Sequence, residues 1–316
     1  MEKNNKSVSI IIPAYNEAES LQTLRDEIVT AFMSLHNEYE IIFINDGSSD
    51  DTQSVLEEIV DQCKDKNIRA VELKKNSGKA TALDLGFSMA KGDIIITMDA
   101  DLQDDPKEIS RFIEKIEEGY EVISGWKNDR QDSFIKNKTS KIYNFFTSLC
   151  SGLWLHDHNC GFKAYKDEAV KDLVLYGQLH RYIPVLAMAN GYKKITEIKV
   201  NHRKRSFGKT KYGVRRFMHG FLDLLTVFFI TKYKSSPLHF FGSISMIFFG
   251  AGFLSGSYLT YLRIVENATI GDRPLLFLAI LLMLVGVQIG TIGLISEQIT
   301  HTTKKVPRQS IIKKLI

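Results

Sequence analysis

Five short apolar runs punctuate the N-terminal part of the chain: Val8 to Ile12, Glu40 to Asn45, Arg69 to Leu73, Asp93 to Met98 and Tyr120 to Ser124. Their length and bounding polar turns predict strands. Between them, apolar residues recur at helical spacing over Glu17 to Leu35, Asp51 to Asp65, Lys79 to Ala90 and Pro106 to Glu118. Regular alternation of the two patterns predicts an α/β fold, a mainly parallel sheet with helices on both faces.

The pattern then changes. Residues 235–262 form 28 positions without Asp, Glu, Lys or Arg, and 274–295 form another 22. About 20 apolar residues suffice to cross a bilayer, and neither stretch keeps the polar face of a soluble helix. Lys232 and Lys234 precede the first span, whereas Lys304, Lys305, Arg308, Lys313 and Lys314 follow the second. The loop between the spans is balanced in charge, so both ends are expected on the cytoplasmic side of an inner membrane. Ahead of the spans, Phe217, Phe221, Leu224, Leu225 and Phe228 recur at helical spacing and suggest a helix lying in the interface. The expected organisation is an α/β domain over 1–213, an interfacial helix over 214–234, spans at 235–262 and 274–299 joined by a loop over 263–273, and a basic tail over 300–316. Uncharged spans argue for anchoring over transport. The pairs Gly252/Gly256 and Gly286/Gly290 have the spacing that brings helices close, within one chain or between protomers of a homo-oligomer.

Composition sharpens this picture in three places. The chain has 316 residues, enough for more than one domain. Its net charge of +4 is unevenly spread: seven Lys or Arg and no acid fall within Asn201 to Arg216. Cys63, Cys150 and Cys160 form no CxxC pair and leave one over, which suggests neither a disulfide framework nor a zinc site and fits a reducing cytosol. The run "VSIII" stops at Pro13, too short for a signal-peptide core, so the N-terminus is expected in the cytoplasm.

Ligands of such sheets sit beyond the carboxyl ends of the strands. The residues found there are "PAYNE" after the first strand, "DGSSDDT" after the second and "DADLQDDP" after the fourth. Four aspartates within seven residues, Asp99, Asp101, Asp104 and Asp105, repel one another unless a cation joins them. Mg²⁺ takes one or two carboxylates and fills its remaining positions with water and substrate phosphate. Asp99 and Asp101 lie two apart and face one way in an extended strand end. Asp104 and Asp105 precede Pro106 and read as helix-start residues. No GxGxxG follows the first strand, and "NSGKAT" departs from a phosphate loop because Ala80 follows Lys79. Lys79 still opens a helix, where it either approaches a phosphate or faces solvent.

Taken in order, "IIPAYNE", "INDGSSDDT", "NSGKATALDLGF", "MDADLQDDP", "DHNCGFKAY", "LHRYIPVLA", "HRKRSFGKTKYG" and the terminal spans resemble the inverting family 2 glycosyltransferases of GT-A fold. Among these the motifs resemble the transferases acting on polyprenyl phosphates, such as bactoprenol glucosyltransferases and dolichyl-phosphate mannose synthase. This implies metal-dependent transfer of a sugar from a nucleotide sugar, with UDP-glucose favoured, to undecaprenyl phosphate. It implies that Pro13, Ala14, Tyr15, Glu17 and Asp46 embrace the nucleotide, with Lys79, Asp99 and Ala100 also in the donor site. Asp99, Asp101 and Gln103 would surround Mg²⁺ or Mn²⁺, and Asp157 would act as base or orient a sugar hydroxyl. No nucleic-acid partner is implied.

The chemistry agrees with these residue types. A divalent ion neutralises the departing diphosphate, and a phosphate monoester already carries a nucleophilic oxyanion near neutral pH. The resemblance implies that its phosphate is held by Arg205, Thr210 and Lys211, with Arg130 as partner, and arginine's planar fork suits phosphate oxygens. Arg203 and Lys204 are expected to meet anionic headgroups. A processive polysaccharide synthase would show a QxxRW segment, which neither Trp126 nor Trp154 provides. A sugar-nucleotide sensor without turnover is the non-enzymatic alternative.

Overall fold

The computed structural model describes residues 6–63, 67–127, 134–171, 173–203, 225–229, 231–233 and 236–303. Contacts divide the chain into two compact units, with the boundary after Val227.

In the first unit, β1 (Val8–Ala14), β2 (Tyr39–Asn45), β3 (Ile68–Glu72) and β4 (Ile94–Thr97) pair in parallel. They are joined by α1 (Ala18–Met33), α2 (Thr52–Gln62) and α3 (Lys79–Met89). A 3-10 turn (Pro106–Glu108) and α4 (Ile109–Glu117) lead into β5 (Val122–Trp126). The expected strands and helices of this part are therefore present, with ends that differ by a few residues. Their central runs are apolar because both faces are covered: Ile10, Ile11, Ile12, Ile41, Ile42, Phe43, Ile94, Ile95 and Ile96 have no exposed surface. Leu21, Leu24, Ile28 and Phe32 of α1 and Ile109, Phe112, Ile113 and Ile116 of α4 present the buried stripes that close the core.

After β5 come α5 (Phe134–Ser151), β6 (Lys163–Lys166), α6 (Asp167–Lys171), α7 (Ile183–Ala189) and β7 (Ile195–Lys199). The sheet order is β3-β2-β1-β4-β6-β5-β7, and β6 runs antiparallel to both neighbours. The sequence patterns stop at five strands, and β6 explains why. "KAYK" shows no apolar run, yet Lys163 is 2% exposed because carbonyl oxygens of His158 and Cys160 accept from its ammonium. The strand order changes direction between β1 and β4, which opens a crevice at their carboxyl ends.

The second unit contains α8 (Pro237–Val265) and α9 (Pro274–Thr303). Segments Pro237–Val265 and Pro274–Thr300 contain 18-residue windows of mean hydropathy 1.5 and 2.6 and are long and apolar enough to cross a membrane. The pair packs through glycines. A Cβ on Gly252 would stand 2.7 Å from the Ala279 carbonyl oxygen, and one on Gly286 would stand 2.7 Å from the Phe249 nitrogen. Gly290 similarly faces the Ser245 hydroxyl at 2.8 Å, whereas Gly256 has nothing within 4 Å. Three of the four glycines singled out by spacing thus serve contact within one chain. Ser245 donates to the Gly286 carbonyl at 2.7 Å, and the Leu238 N–H at the start of α8 donates to Glu297 at 3.1 Å. The helix-start donor is satisfied by a carboxylate from the other helix.

Candidate active site

The three loops beyond β1, β2 and β3 form one stitched surface. Asn16, at a left-handed φ of 56°, donates its N–H to the Ser48 hydroxyl at 2.9 Å and accepts from the Ser49 N–H at 2.8 Å. The Glu17 N–H donates to the Thr52 hydroxyl at 3.0 Å. Asp46 is 4% exposed, and its two carboxylate oxygens accept from the N–H groups of Ser77 at 2.7 Å and Gly78 at 2.9 Å. Gly47, with φ of 63°, leaves no room for a side chain: a Cβ would lie 2.5 Å from the Lys75 carbonyl carbon. The Asp46 N–H donates to the Ala14 carbonyl at 2.8 Å, and Pro13 and Ala14 lie in register with Ile44 and Asn45, so the ends of β1 and β2 are held together and Asp46 also fixes the turn that presents Lys79.

Across the crevice, β4 delivers Asp99 and Asp101. Lys79 pairs directly with Asp99. Burial raises the Asp99 carboxyl, but the charges of Lys79 and Lys127 outweigh it and hold the group well below the usual carboxylate range. Asp101 is pushed up to about 6 by burial, then by the charges of Asp99 and Asp104. Its Oδ1 accepts from the Gln103 N–H at 3.2 Å, across Leu102 at a left-handed φ of 61°. Ala100, between the two acids, is buried.

Asp104 and Asp105 divide their work differently from the helix-start reading. Asp105 does cap the 3-10 turn, accepting from the Lys107 N–H at 3.1 Å. Asp104 does not. It has no exposed side-chain surface, pairs with the buried Lys127 ammonium at 2.8 Å and accepts from the Asp99 N–H at 3.3 Å. It anchors the acidic loop from beneath. Arg203 also departs from its expected headgroup role: it grips both oxygens of Glu27 at 2.9 and 2.7 Å and Asp105 at 2.7 Å.

Two residues escaped sequence reasoning although the motif "DHNCGF" contained one. A Cβ on Gly161 would lie 2.6 Å from both Asp99 oxygens, so the missing side chain is the space that the carboxylate occupies. The Gly161 carbonyl accepts from Thr97 at 2.8 Å, which ties β4 to the chain entering β6. Gly161→Ala should therefore displace Asp99 and lower turnover by roughly tenfold or more, since small misplacements at a reacting centre are costly. Steady-state rates alongside an unchanged melting temperature would check this. The second is Lys127, which lies just past β5 without a charge pattern to mark it.

Asp157 is 2% exposed, and its Oδ1 accepts from the Asn159 N–H at 3.0 Å. His158 is buried against the Ser148 hydroxyl at 3.0 Å, and burial drives its pKa down to about 4. His156 stacks on Trp126 with ring centroids 4.1 Å apart. Arg130, Arg205, Thr210 and Lys211 lie outside the described residues.

No group of three His, Cys, Asp or Glu side chains among the described residues is arranged to enclose a metal. Asp99 and Asp101 instead supply two hard oxygen donors, and the Asp101 carboxyl is disfavoured as an anion first by burial and then by the charges of Asp99 and Asp104. That donor set fits a divalent ion completed by water and diphosphate oxygens.

Solved structures of similar fold include glucosyl-3-phosphoglycerate synthase from Mycobacterium tuberculosis in complex with Mn²⁺, UDP and phosphoglyceric acid. The TM-score is 0.54 at 15% identity, covering 71% of this chain and 78% of that one. Mannosyl-3-phosphoglycerate synthase from Rubrobacter xylanophilus matches with a TM-score of 0.54 at 15% identity, covering 71% and 73%. Among curated relatives, dodecaprenyl-phosphate galacturonate synthase of Rhizobium johnstonii is 35% identical over 93% of this chain and 88% of its own. Undecaprenyl-phosphate 4-deoxy-4-formamido-L-arabinose transferase of Proteus mirabilis is 35% identical over 94% and 89%. The Glycosyl transferase family 2 description matches residues 9–174, and the GtrB C-terminal hairpin matches residues 236–302. With the β1/β4 crevice, its paired aspartates and the apolar helical hairpin, this chain belongs to glycosyl transferase family 2 and is a glycosyltransferase.

Proposed function

We propose that the protein transfers a sugar from a nucleotide sugar to the phosphate of a membrane polyprenol. The observation that carries this reading is the meeting of Asp99, Asp101 and Lys79 at the mouth of the crevice, in a chain that also carries two membrane-length apolar helices. The relatives named for dodecaprenyl and undecaprenyl phosphate support the acceptor class. Their sugars, galacturonate and 4-deoxy-4-formamido-L-arabinose, give no support to the expected glucose.

In this reading the stitched loops hold the nucleotide through Pro13, Ala14, Tyr15 and Glu17, and Asp46 keeps their surface rigid. Asp99, Asp101 and Gln103 would hold the divalent ion. When bound, Mg²⁺ or Mn²⁺ supplies Lewis-acid neutralisation of the departing diphosphate. Support for a metal also comes from the Mn²⁺ and UDP named with the mycobacterial synthase. Lys79 positions Asp99 and brings a further positive charge to the same mouth. Asp157 orients a sugar hydroxyl, since its carboxylate is already engaged in holding its own turn. The acceptor phosphate brings its own oxyanion, so the chain need not remove a proton from a sugar hydroxyl.

Membranes containing the protein, incubated with undecaprenyl phosphate and a panel of radiolabelled nucleotide sugars, should yield one labelled lipid that releases its sugar on mild acid treatment. Failure to label any lipid would sink the proposal. Arg205→Ala should raise the KM for lipid acceptor by roughly tenfold or more, as loss of a charge-assisted phosphate contact does, while nucleotide-sugar KM changes little. Equal effects on both would remove Arg205 from the acceptor site. Catalysis on the cytoplasmic side predicts that protease added outside intact cells spares the catalytic domain.

A further inference from the structure

Between α5 and β6 the chain passes through residues 157–162, a turn with little room around it. On one side, a Cβ on Gly161 would meet both Asp99 oxygens. On another, a Cβ on Gly125 of β5 would stand 2.8 Å from the Phe162 carbonyl oxygen and 2.9 Å from the Cys160 sulfur. Two absent side chains thus let the turn lie directly against the β5 backbone and the Asp99 carboxylate. Its N-terminal end is tied to neighbouring elements. The His156 carbonyl accepts from the Asn144 amide of α5 at 2.7 Å, and the Asp157 carbonyl accepts from the buried Ser124 hydroxyl of β5 at 3.3 Å.

Lys163 closes the same turn from its other end. It is the first residue of β6, in register with Thr97 of β4 and Ser124 of β5. Its side chain is fully buried, and its ammonium donates to the carbonyls of His158, at 3.3 Å, and Cys160. Burying an ammonium costs free energy that an apolar side chain at this position would not incur. What an apolar side chain could not supply is the pair of hydrogen bonds. The Cys160 carbonyl belongs to the peptide unit that leads into Gly161, and the His158 carbonyl follows Asp157 by one residue. Fixing both carbonyls fixes the stretch that runs from Asp157 to the glycine backing Asp99.

We propose that Lys163 is a positioning residue for the reaction: its ammonium sets the 157–161 turn, and through that turn holds Asp99 and Asp157 in place for the divalent ion and the donor sugar. This rests on the sugar-transfer reading above and adds to it a residue that acts through Gly161 and Asp157. Without the ammonium, two buried carbonyls lose their donor, the turn rearranges towards other partners, and Asp99 loses the backbone packed against it.

Mn²⁺ binding to the detergent-solubilised full chain in the presence of UDP, followed by electron paramagnetic resonance, tests this without turnover. Lys163→Met keeps the length of the side chain and removes the donor. It should weaken Mn²⁺ binding by roughly tenfold or more, the usual effect of losing a support behind a metal ligand, while UDP affinity without metal is unchanged. Gly161→Ala should act in the same direction, and the double variant should be little worse than the weaker-binding single one, because both act through one turn. Lys163→Gln, which returns one neutral donor, should recover part of the loss. Mn²⁺ affinity in Lys163→Met equal to that of the intact protein would overturn the proposal, as would losses that add in the double variant. A parallel fall in metal-free UDP affinity and melting temperature marks a purely structural lysine and overturns it too. If Lys163→Met does not fold, the same comparisons made with Lys163→Gln decide. A protein that shows this dependence of Mn²⁺ binding on Lys163 but labels no polyprenol keeps the positioning role and loses the lipid acceptor.

Discussion

Asp101→Asn is expected to leave a folded, membrane-bound protein whose turnover is lower by at least about a hundredfold, the scale of removing a group that stabilises developing charge. The substitution keeps size and hydrogen-bonding capacity but removes the negative charge. In the metal-free chain, Asp101 is already hard to ionise because burial and the charges of Asp99 and Asp104 oppose it. Removing its charge therefore costs the fold little. The catalytic cost is different in the proposed reading, because a divalent ion held by Asp99 without Asp101 would have one carboxylate ligand in place of two and would neutralise a departing diphosphate less well. The decisive measurements are turnover titrated with Mn²⁺ and Mg²⁺ after chelation, together with nucleotide-sugar binding with and without metal. Full activity in Asp101→Asn, or indifference of the intact enzyme to chelation, would remove the metal site.

The largest effect on stability is expected at Lys127. Its ammonium is 9% exposed and pairs with Asp104, which has no exposed side-chain surface. Burial opposes the charge on Lys127, but Asp104, with Cys160 and Asp99, outweighs it and raises the pKa above the usual lysine range. Lys127→Met leaves the Asp104 carboxylate buried without its cation, a class of change that costs about 3–5 kcal/mol. For a domain of this size each kcal/mol lowers the melting temperature by about 2–4 °C, so a loss of roughly 6–20 °C is expected in detergent. The double variant Lys127→Met with Asp104→Asn removes the stranded charge while retaining an acceptor for the Asp99 N–H, and should recover most of that loss. If it recovered none, the pair would not be the source of the stability. Activity should fall in Lys127→Met as well, because Asp104 supports the backbone from which Asp99 projects.

These two residues show where sequence reading reached and where it stopped. Asp99 and Asp101 were legible because an apolar run ending in acids, repeated on one rim after three strands, is a local pattern with a global meaning in parallel sheets. Lys127 carried no such mark: a lysine after a strand ordinarily reads as solvent-facing, and only the fold brings it against Asp104. Arg203 misled in the opposite direction, since its basic surroundings suggested lipid headgroups, whereas its guanidinium joins α1 to the acidic loop through Glu27 and Asp105.

By itself the sequence determined the parallel βαβ core, the rim that carries the acids and the two apolar spans, because periodicity and run length record which positions must leave water. The tertiary structure alone decided the antiparallel insertion of β6, the placement of Gly161 against Asp99 and the burial of Lys163. Those outcomes depend on which distant atoms meet in a low-dielectric interior. A pairing of that kind is set by the packing of the whole sheet and leaves no repeat along the chain.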